Sequence, residues 1–147
     1  MAVYRIMQIN LTDAQVEEVN TVSAIEDQPY PDWYARRLAT TFQPTYKDIL
    51  DAWGDYETVA SITADDLDEV FEIGNMGPEN SIERMGPMHS ISVGDVIVDE
   101  SDMAWYVDSH GFGSLGSGRR MRILTEQRRV HQTHLALQSG KAVRHAE

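Results

Sequence analysis

Two apolar stretches on either side of a short polar turn constrain the fold more than any other feature of this chain. The segment "VIVDESDMAWYV" holds residues 96–98 and 103–107, both rich in β-branched and aromatic side chains, around a polar turn at 100–102. Apolar runs of this kind next to a tight turn predict two antiparallel strands. The pair Gly94 and Asp95 just before them predicts a turn that leads into the first strand. We therefore expect an antiparallel sheet around this hairpin.

Further segments supply the rest of the predicted fold. Residues 2–9, 56–62 and 120–124 have strand composition, whereas Thr12 with Gln15 forms a capping box that predicts a helix to about residue 21. The segments "DWYARRLA", "YKDILDAW" and "TEQRRVHQTHLALQ" predict three more helices. We expect one α+β domain over residues 1–140 and a flexible tail at 141–147. In this domain a small antiparallel sheet carries helices packed mainly on one face, and its strands are 2–9, 56–62, 95–99 and 103–108.

The clearest predicted helix covers residues 64–73 and is strongly acidic. Thr63 is positioned to cap its start, and Gly74 or Asn75 to end it. A stripe at positions i, i+3 and i+4 predicts the buried side: Leu67, Val70 and Phe71. The other side carries the candidate partner-binding residues: Asp65, Asp66, Asp68, Glu69 and Glu72.

The negative charge of the chain lies almost entirely in its first three quarters. Residues 1–110 carry five basic and 22 acidic residues, a net charge of −17, whereas residues 111–147 carry seven basic and two acidic residues. An acidic body repels nucleic acid and attracts basic protein surfaces. The alternative is that the charge serves only solubility.

Neither a membrane span nor a secretion signal is visible in the sequence. No apolar run approaches the roughly 20 residues that a bilayer requires, and "MAVYRIMQIN" lacks the features of a signal peptide. Cysteine is absent, which excludes disulfides and thiolate metal sites. We expect a cytoplasmic protein that has no membrane partner.

The segment "SHGFGSLGSG" contains three glycines with the spacing of a dinucleotide-binding loop, Gly111, Gly113 and Gly116. Such a loop runs from a parallel strand into a helix, with an acidic residue about 20 positions further on. Here the glycines follow an antiparallel hairpin and precede the predicted strand at 120–124, so we expect no nucleotide and no other cofactor. An alternative is an anion-binding patch for phosphate or RNA formed by three arginines: Arg119, Arg120 and Arg122.

Two groups of titratable side chains are candidates for chemistry. Imidazoles and carboxylates that flank the hairpin are the groups that acid–base or metal-assisted hydrolysis requires: His89, Asp95, Asp108 and His110. The alternative for these residues is a structural role, because short polar side chains near turns commonly bond to local backbone. His131 and His134 share one face of a predicted helix and are a candidate site for zinc or nickel if a carboxylate joins them. The structural alternative is two exposed polar residues, and we expect no resident metal.

The hairpin region resembles a known family. The segment "MHSISVGDVIVDESDMAWYVDSHGF" is similar to the signature of YodL-like domains, a strand of the form H-S-h-S-V-x-D-h-h-V followed by a strand of the form Y-h-h-D-S-x-G-F. With the acidic helix upstream, the resemblance covers about residues 56–115. The matching residues are His89, Ser90, Ser92, Val93, Asp95, Val96, Val98, Tyr106, Asp108, Ser109, Gly111 and Phe112. The resemblance implies a phage or mobile-element origin and assigns no catalytic residue.

Two hypotheses of different classes follow. The first is a small acidic accessory protein of a phage or mobile element that binds a basic host protein. In this hypothesis its acidic surface mimics nucleic acid and inhibits host defence or metabolism. The alternative is a small hydrolase or nucleotide-modifying enzyme that uses the histidines and aspartates at the ends of the hairpin.

Overall fold

The computed structural model of the chain describes residues 1–9 and 31–138. The helix predicted to end near residue 21 and the tail predicted at 141–147 lie outside these residues. No helix in the described ranges is both long and apolar enough to cross a membrane.

Six strands and four α-helices make up the described part of the chain. The strands are β1 (Ala2–Ile9), β2 (Tyr56–Ala64), β3 (Ile82–Arg84), β4 (Val96–Val98), β5 (Met103–Asp108) and β6 (Gly111–Ser117). The helices are α1 (Pro31–Thr41), α2 (Tyr46–Asp51), α3 (Leu67–Met76) and α4 (Gly118–Gln138). Short 3-10 turns lie at Trp53–Asp55 and Glu79–Ser81.

The strands form one antiparallel sheet in the order β3-β2-β1-β4-β5-β6. The N-terminal strand β1 lies near the middle, where Ile6 is opposite Ala60 of β2 and Ile97 of β4. It therefore joins the β2–β3 half of the sheet to the β4–β5–β6 half. This arrangement confirms the predicted α+β class.

Helices cover both faces of the sheet. On one face, which we call the α3 face, Ile6, Ile97 and Val107 pack with Val70 and Ile73 of α3. The opposite face, the α4 face, packs against side chains of α2 and α4 and contains Ile9, Val96, Val98, Ala104, Ile49, Leu50 and Met121. The helix α1 packs against α2. Most of the described helices thus lie on one side of the sheet, and the three residues of β4 are buried from both sides.

The segment after the hairpin differs from the prediction. Residues 111–117, which follow the predicted hairpin, form β6, the outermost strand beside β5. Residues 120–124 were expected to be a strand, but they belong to α4. The reason is tertiary. Met121 is buried in the α4-face core and Leu124 packs against that core, and a helix places these two residues, three positions apart, on the same side.

The acidic helix also begins and ends later than predicted. Strand β2 continues to Ala64, and the N-cap is Asp66 instead of Thr63. The helix ends before Gly77, which has a φ of 86°, so Gly74 lies inside it. There the absence of a side chain is required, because a Cβ would lie 2.2 Å from Cδ1 of Ile91.

The buried side of this helix is rotated from the predicted stripe. Val70 and Ile73 are its buried residues, whereas Phe71 is 38% exposed. Leu67 packs against the same core cluster, so the buried stripe follows positions 67, 70 and 73. Phe71 therefore belongs to the outer surface beside the acidic side chains.

Candidate protein-binding site

The glycines of the supposed dinucleotide loop serve strand packing. Gly113 is opposite Tyr106 of β5, and a Cβ at this glycine would lie 2.2 Å from Cζ of the Tyr106 ring. Gly116 has a φ of 81° and lies where the register of the β5–β6 pair shifts. Positive φ angles favour glycine, and bulges commonly place one there. The glycine spacing is thus explained by the fit of β6 against β5 without a bound phosphate.

The three candidate arginines surround a helix start that already has a carboxylate. The backbone N–H of Arg119 donates to Oδ2 of Asp102 over 2.8 Å, and the N–H of Gly118 donates to the Asp102 carbonyl over 2.7 Å. Arg122 lies 4.0 Å from the same carboxylate, and Arg120 lies over the ring of Tyr46 at 5.9 Å. Asp102 thus occupies the position that an anion would take at this helix N-terminus.

Two of the four candidate catalytic residues are close to each other. Nδ1 of His89 is 3.9 Å from Oδ2 of Asp95, and this carboxylate oxygen accepts hydrogen bonds from Nε2 of Gln8 at 3.1 Å and from the Ser92 N–H at 2.9 Å. The Gln8 amide also pairs with the backbone of His89, accepting from its N–H and donating to its carbonyl. These contacts tie the loop before β4 to the centre of the sheet. Asp95 therefore has a structural role here, because a buried carboxylate is costly unless it is hydrogen-bonded.

Neither ring nitrogen of His89 is positioned to accept a proton from a substrate in this structure, although the side chain is 37% exposed. Its Nδ1 is 2.8 Å from the carbonyl of Ser90, which fits an Nδ1–H donor. Its other nitrogen, Nε2, is buried and has no hydrogen-bond partner among the described residues. A proton acceptor must come within hydrogen-bonding reach of the substrate, which a buried nitrogen does not.

The other two candidate catalytic residues do not join them. Alternation along β5 places Asp108 on the α4 face, whereas Asp95 is on the α3 face with Gln8. Asp108 instead accepts a hydrogen bond from the Ser109 N–H at 2.7 Å, and His110 is exposed in the turn. Within residues 1–9 and 31–138, no hydrogen bond connects either residue with His89 or Asp95.

The histidine pair on α4 has no third ligand in the described chain. His131 is exposed, and the side chain of His134 lies outside the described part. The described residues contain no group of three or more histidines and carboxylates that would hold a metal ion.

Of the five acidic residues at α3, three make contacts within the protein and two do not. Oδ1 of Asp66 accepts the Glu69 N–H at 2.8 Å, and Oε1 of Glu69 accepts the Asp65 N–H at 3.3 Å, so both side chains cap the helix start. The Asp65 carboxylate is 3.7 Å from the α-amino group of Met1. Asp68 and Glu72 are exposed and make no hydrogen bond or ion pair within the described ranges. They are the two members of the set that are available to a partner.

A cavity of about 380 Å³ lies beside the start of α3. It forms because α3 packs mainly against β2, which leaves the β4–β5–β6 end of the α3 face less covered. Its lining combines carboxylates and aromatic rings: Tyr4, Asp65, Asp66, Leu67, Asp68, Asp99, Trp105 and Phe112. Trp105 and Phe112 are half-buried and form walls of this cavity.

The electrostatic character of this cavity is negative. Four of its lining residues are aspartates, and none of the described lining residues is basic. Burial raises the pKa of the Tyr4 hydroxyl, and the negative charges of Asp99, Asp66, Glu100 and Asp65 raise it further. Backbone N–H groups of Ser101 and Met103 hold Oδ1 of Asp99 at 2.9 Å each, which fixes one of the carboxylates. The site is therefore suited to a cation.

Sequence reasoning identified the carboxylates at α3 but missed Tyr4 and Asp99. The available signal was the period of two along β1, which places Tyr4 on the same face as Ile6. That Asp99 and Trp105 lie beside the same helix start depends on strand order, which is a tertiary property.

No family model, curated protein or solved structure matches the chain. The resemblance to YodL-like domains and the phage or mobile-element origin that it implies therefore stay predictions.

Proposed function

We propose that this protein is a non-enzymatic binding protein whose acidic surface contacts a basic surface of a host protein. The observation that carries the proposal is the cavity at the start of α3, which contains four aspartates and three aromatic rings and no basic residue among its described lining. We call the carboxylates in and around it the acidic docking surface: Asp65, Asp66, Asp68, Glu72, Asp99 and Glu100.

The acidic docking surface combines two kinds of group that protein interfaces use. Exposed carboxylates such as Asp68 and Glu72 speed association with a basic partner, and aromatic side chains such as Trp105 supply contact area. Phe71, which is 38% exposed, and Met76, which is 83% exposed, add apolar area on the outside of α3. A surface kept only for solubility does not require aromatic side chains among its charges.

The charge of the surroundings supports a basic partner. Residues 1–110 carry a net charge of −17, so the long-range field adds to the local one. Proteins that bind nucleic acid present basic grooves of this complementary kind. We therefore propose a nucleic-acid-binding host protein as the target, with inhibition as the consequence of occupying its groove.

The decisive experiment compares three forms of the protein as baits in a bacterial lysate. The first is the parent, and the second is the docking-surface variant Asp68→Asn/Glu72→Gln. The third is a control, Glu57→Gln/Glu83→Gln, which also removes two negative charges, but from exposed positions on β2 and β3. We expect a basic protein to be captured by the parent and the control, and its capture by the docking-surface variant to fall at least fivefold. Association of the purified target should be faster at about 0.01 M salt than at 0.1 M, where the Debye length shrinks from about 30 Å to about 10 Å.

Equal capture by the two double variants would contradict the proposal. It would show that the charge of α3 acts only through the net charge of the protein. Capture that does not depend on salt would also contradict it, because exposed charge pairs are screened.

A further inference from the structure

We propose that the cavity beside α3 is a subsite that receives one basic side chain, lysine or arginine, from the protein partner. This inference rests on the proposed function and deepens it, because it identifies the group that enters the acidic docking surface. It rests on the combination of aromatic walls, carboxylates and one tyrosine hydroxyl in a cavity of about 380 Å³.

The aromatic walls distinguish the cavity from an ordinary group of surface acids. Tyr4, Trp105 and Phe112 come from β1, β5 and β6, and a cation within about 6 Å of such a ring is attracted by its negative face. The same rings cover the methylene groups of a lysine or arginine side chain, which are apolar. A site for a hydrated metal ion needs oxygen ligands and gains nothing from three rings.

Tyr4 supplies an independent indication of a ligand. Its side chain is buried, with 9% of the residue exposed, and it lines the cavity. Its hydroxyl makes no hydrogen bond to any residue in the described ranges and is accessible from the cavity. A bound ammonium or guanidinium group has donors for this oxygen and for the carboxylates.

The carboxylates have oxygens left for such a ligand. Oδ1 of Asp66 caps α3 and Oδ1 of Asp99 holds the β4–β5 turn, but the Oδ2 atoms of both make no hydrogen bond in the described part of the chain. Asp68 makes none with either oxygen. The volume of about 380 Å³ is near the lower end of the range for small-molecule pockets, which fits one side chain.

The test uses the full-length protein and defined probes. Capped pentapeptides with one central lysine, arginine, norleucine or citrulline between glycines are titrated while the indole N–H of Trp105 is followed by NMR. We expect the lysine or the arginine peptide to shift this signal saturably with a dissociation constant of about 1 mM. The neutral norleucine and citrulline peptides should bind at least tenfold more weakly.

Two variants and a control locate the binding. Asp68→Asn should weaken binding of the basic peptide about threefold or more, whereas the charge-matched Glu57→Gln should leave it unchanged. For Trp105→Leu, where the reporter is lost, the backbone amide of Leu67 is followed instead, and binding should weaken about fivefold. If Trp105→Leu does not fold, the comparison of Asp68→Asn with Glu57→Gln decides by itself.

The outcomes separate this inference from the proposed function. If no peptide shifts Trp105 saturably while the Asp68→Asn/Glu72→Gln bait still loses its partner, the subsite is refuted and the function stands. If the basic peptide binds while that bait captures as well as the control, the function is refuted and the cation subsite stands. A stronger response to calcium chloride or to free cadaverine than to either basic peptide would refute a side-chain subsite.

Discussion

The side-chain amide of Gln8 donates a hydrogen bond to the carboxylate of Asp95 over 3.1 Å, although 87 residues separate the two in the chain. Both residues are completely buried. The same amide pairs with the N–H and the carbonyl of His89, so one side chain of β1 anchors the loop that leads into β4. This contact gives a structural reason for the presence of His89 and Asp95 before the hairpin, so their proximity does not require a catalytic pair.

Replacing Gln8 with leucine should strongly destabilise the fold. The change keeps the approximate volume but removes the bonds to Asp95 and to the His89 backbone, which leaves a buried carboxylate short of a donor. We expect the free energy of unfolding in urea to fall by about 3 kcal/mol. Glu57→Gln, at the exposed residue opposite Gln8 on β2, is the control and should change it by less than about 0.5 kcal/mol. A loss of the same small size for Gln8→Leu would show that the anchor contributes little.

Gly94→Ala should be far more damaging than Gly86→Ala. Gly94 has a φ of 92°, and a Cβ there would lie 2.1 Å from the carbonyl oxygen of Thr40, whereas a Cβ at Gly86 meets no heavy atom within 4 Å. We expect a loss of about 2 kcal/mol or more at Gly94 and a change within about 0.5 kcal/mol at Gly86. Thermal unfolding of both variants measures the difference. Similar melting temperatures would mean that α1 does not pack on this turn as described.

Nucleotides should not bind to the glycine segment. Its residues form β6, where Gly113 contacts the ring of Tyr106, and the adjoining helix start is occupied by Asp102. Titration with NAD and ATP should therefore give no saturable heat. Saturable micromolar binding that is lost in an Arg119→Gln variant would place a phosphate at the start of α4 after all.

Stability should decrease above a pH of about 10 because of Tyr4. The pKa of its hydroxyl is raised in the folded protein, by burial and then by nearby carboxylates, so the unfolded chain loses this proton first. The stabilising contribution is complete below the unfolded pKa of about 10 and is lost as the pH rises through the folded pKa. The decrease between pH 9 and the folded pKa should be smaller in Tyr4→Phe than in the parent.

A direct titration checks the cause of this shift. The Cζ resonance of Tyr4 reports its ionisation in NMR, and Asp65→Asn should lower its pKa because one of the raising charges is removed. Glu57→Gln serves as the control for net charge. An unchanged Tyr4 pKa in Asp65→Asn would contradict the negative potential assigned to the cavity.

Patterns within single segments predicted much of the sheet. Strands at 2–9, 56–62 and 103–108 correspond to β1, β2 and β5, because period-two alternation and β-branched residues report directly on strand conformation. The α3 helix was also predicted, since its acidic first turn and its apolar residues three apart are local features.

The formation of strand β6 and the start of helix α4 depended on contacts with residues distant in the chain. Residues 111–117 contain three glycines and still form β6, because the open edge of β5 offers backbone groups for pairing. Residues 120–124 have strand composition but are helical, because Asp102 bonds to the first N–H groups of α4 and Met121 finds a place in the core. Local preference is weak compared with such contacts.

The sequence by itself determined the acidic character of the chain, the α+β class and the carboxylates at the start of α3. Only the tertiary structure decided that Tyr4, Asp99, Trp105 and Phe112 surround one cavity beside them, and that Asp95 is bound by Gln8 instead of facing a substrate. The physical reason is that these groups come from strands far apart in the chain. Their proximity depends on strand order and on how much of the sheet α3 covers, neither of which is encoded within a single segment.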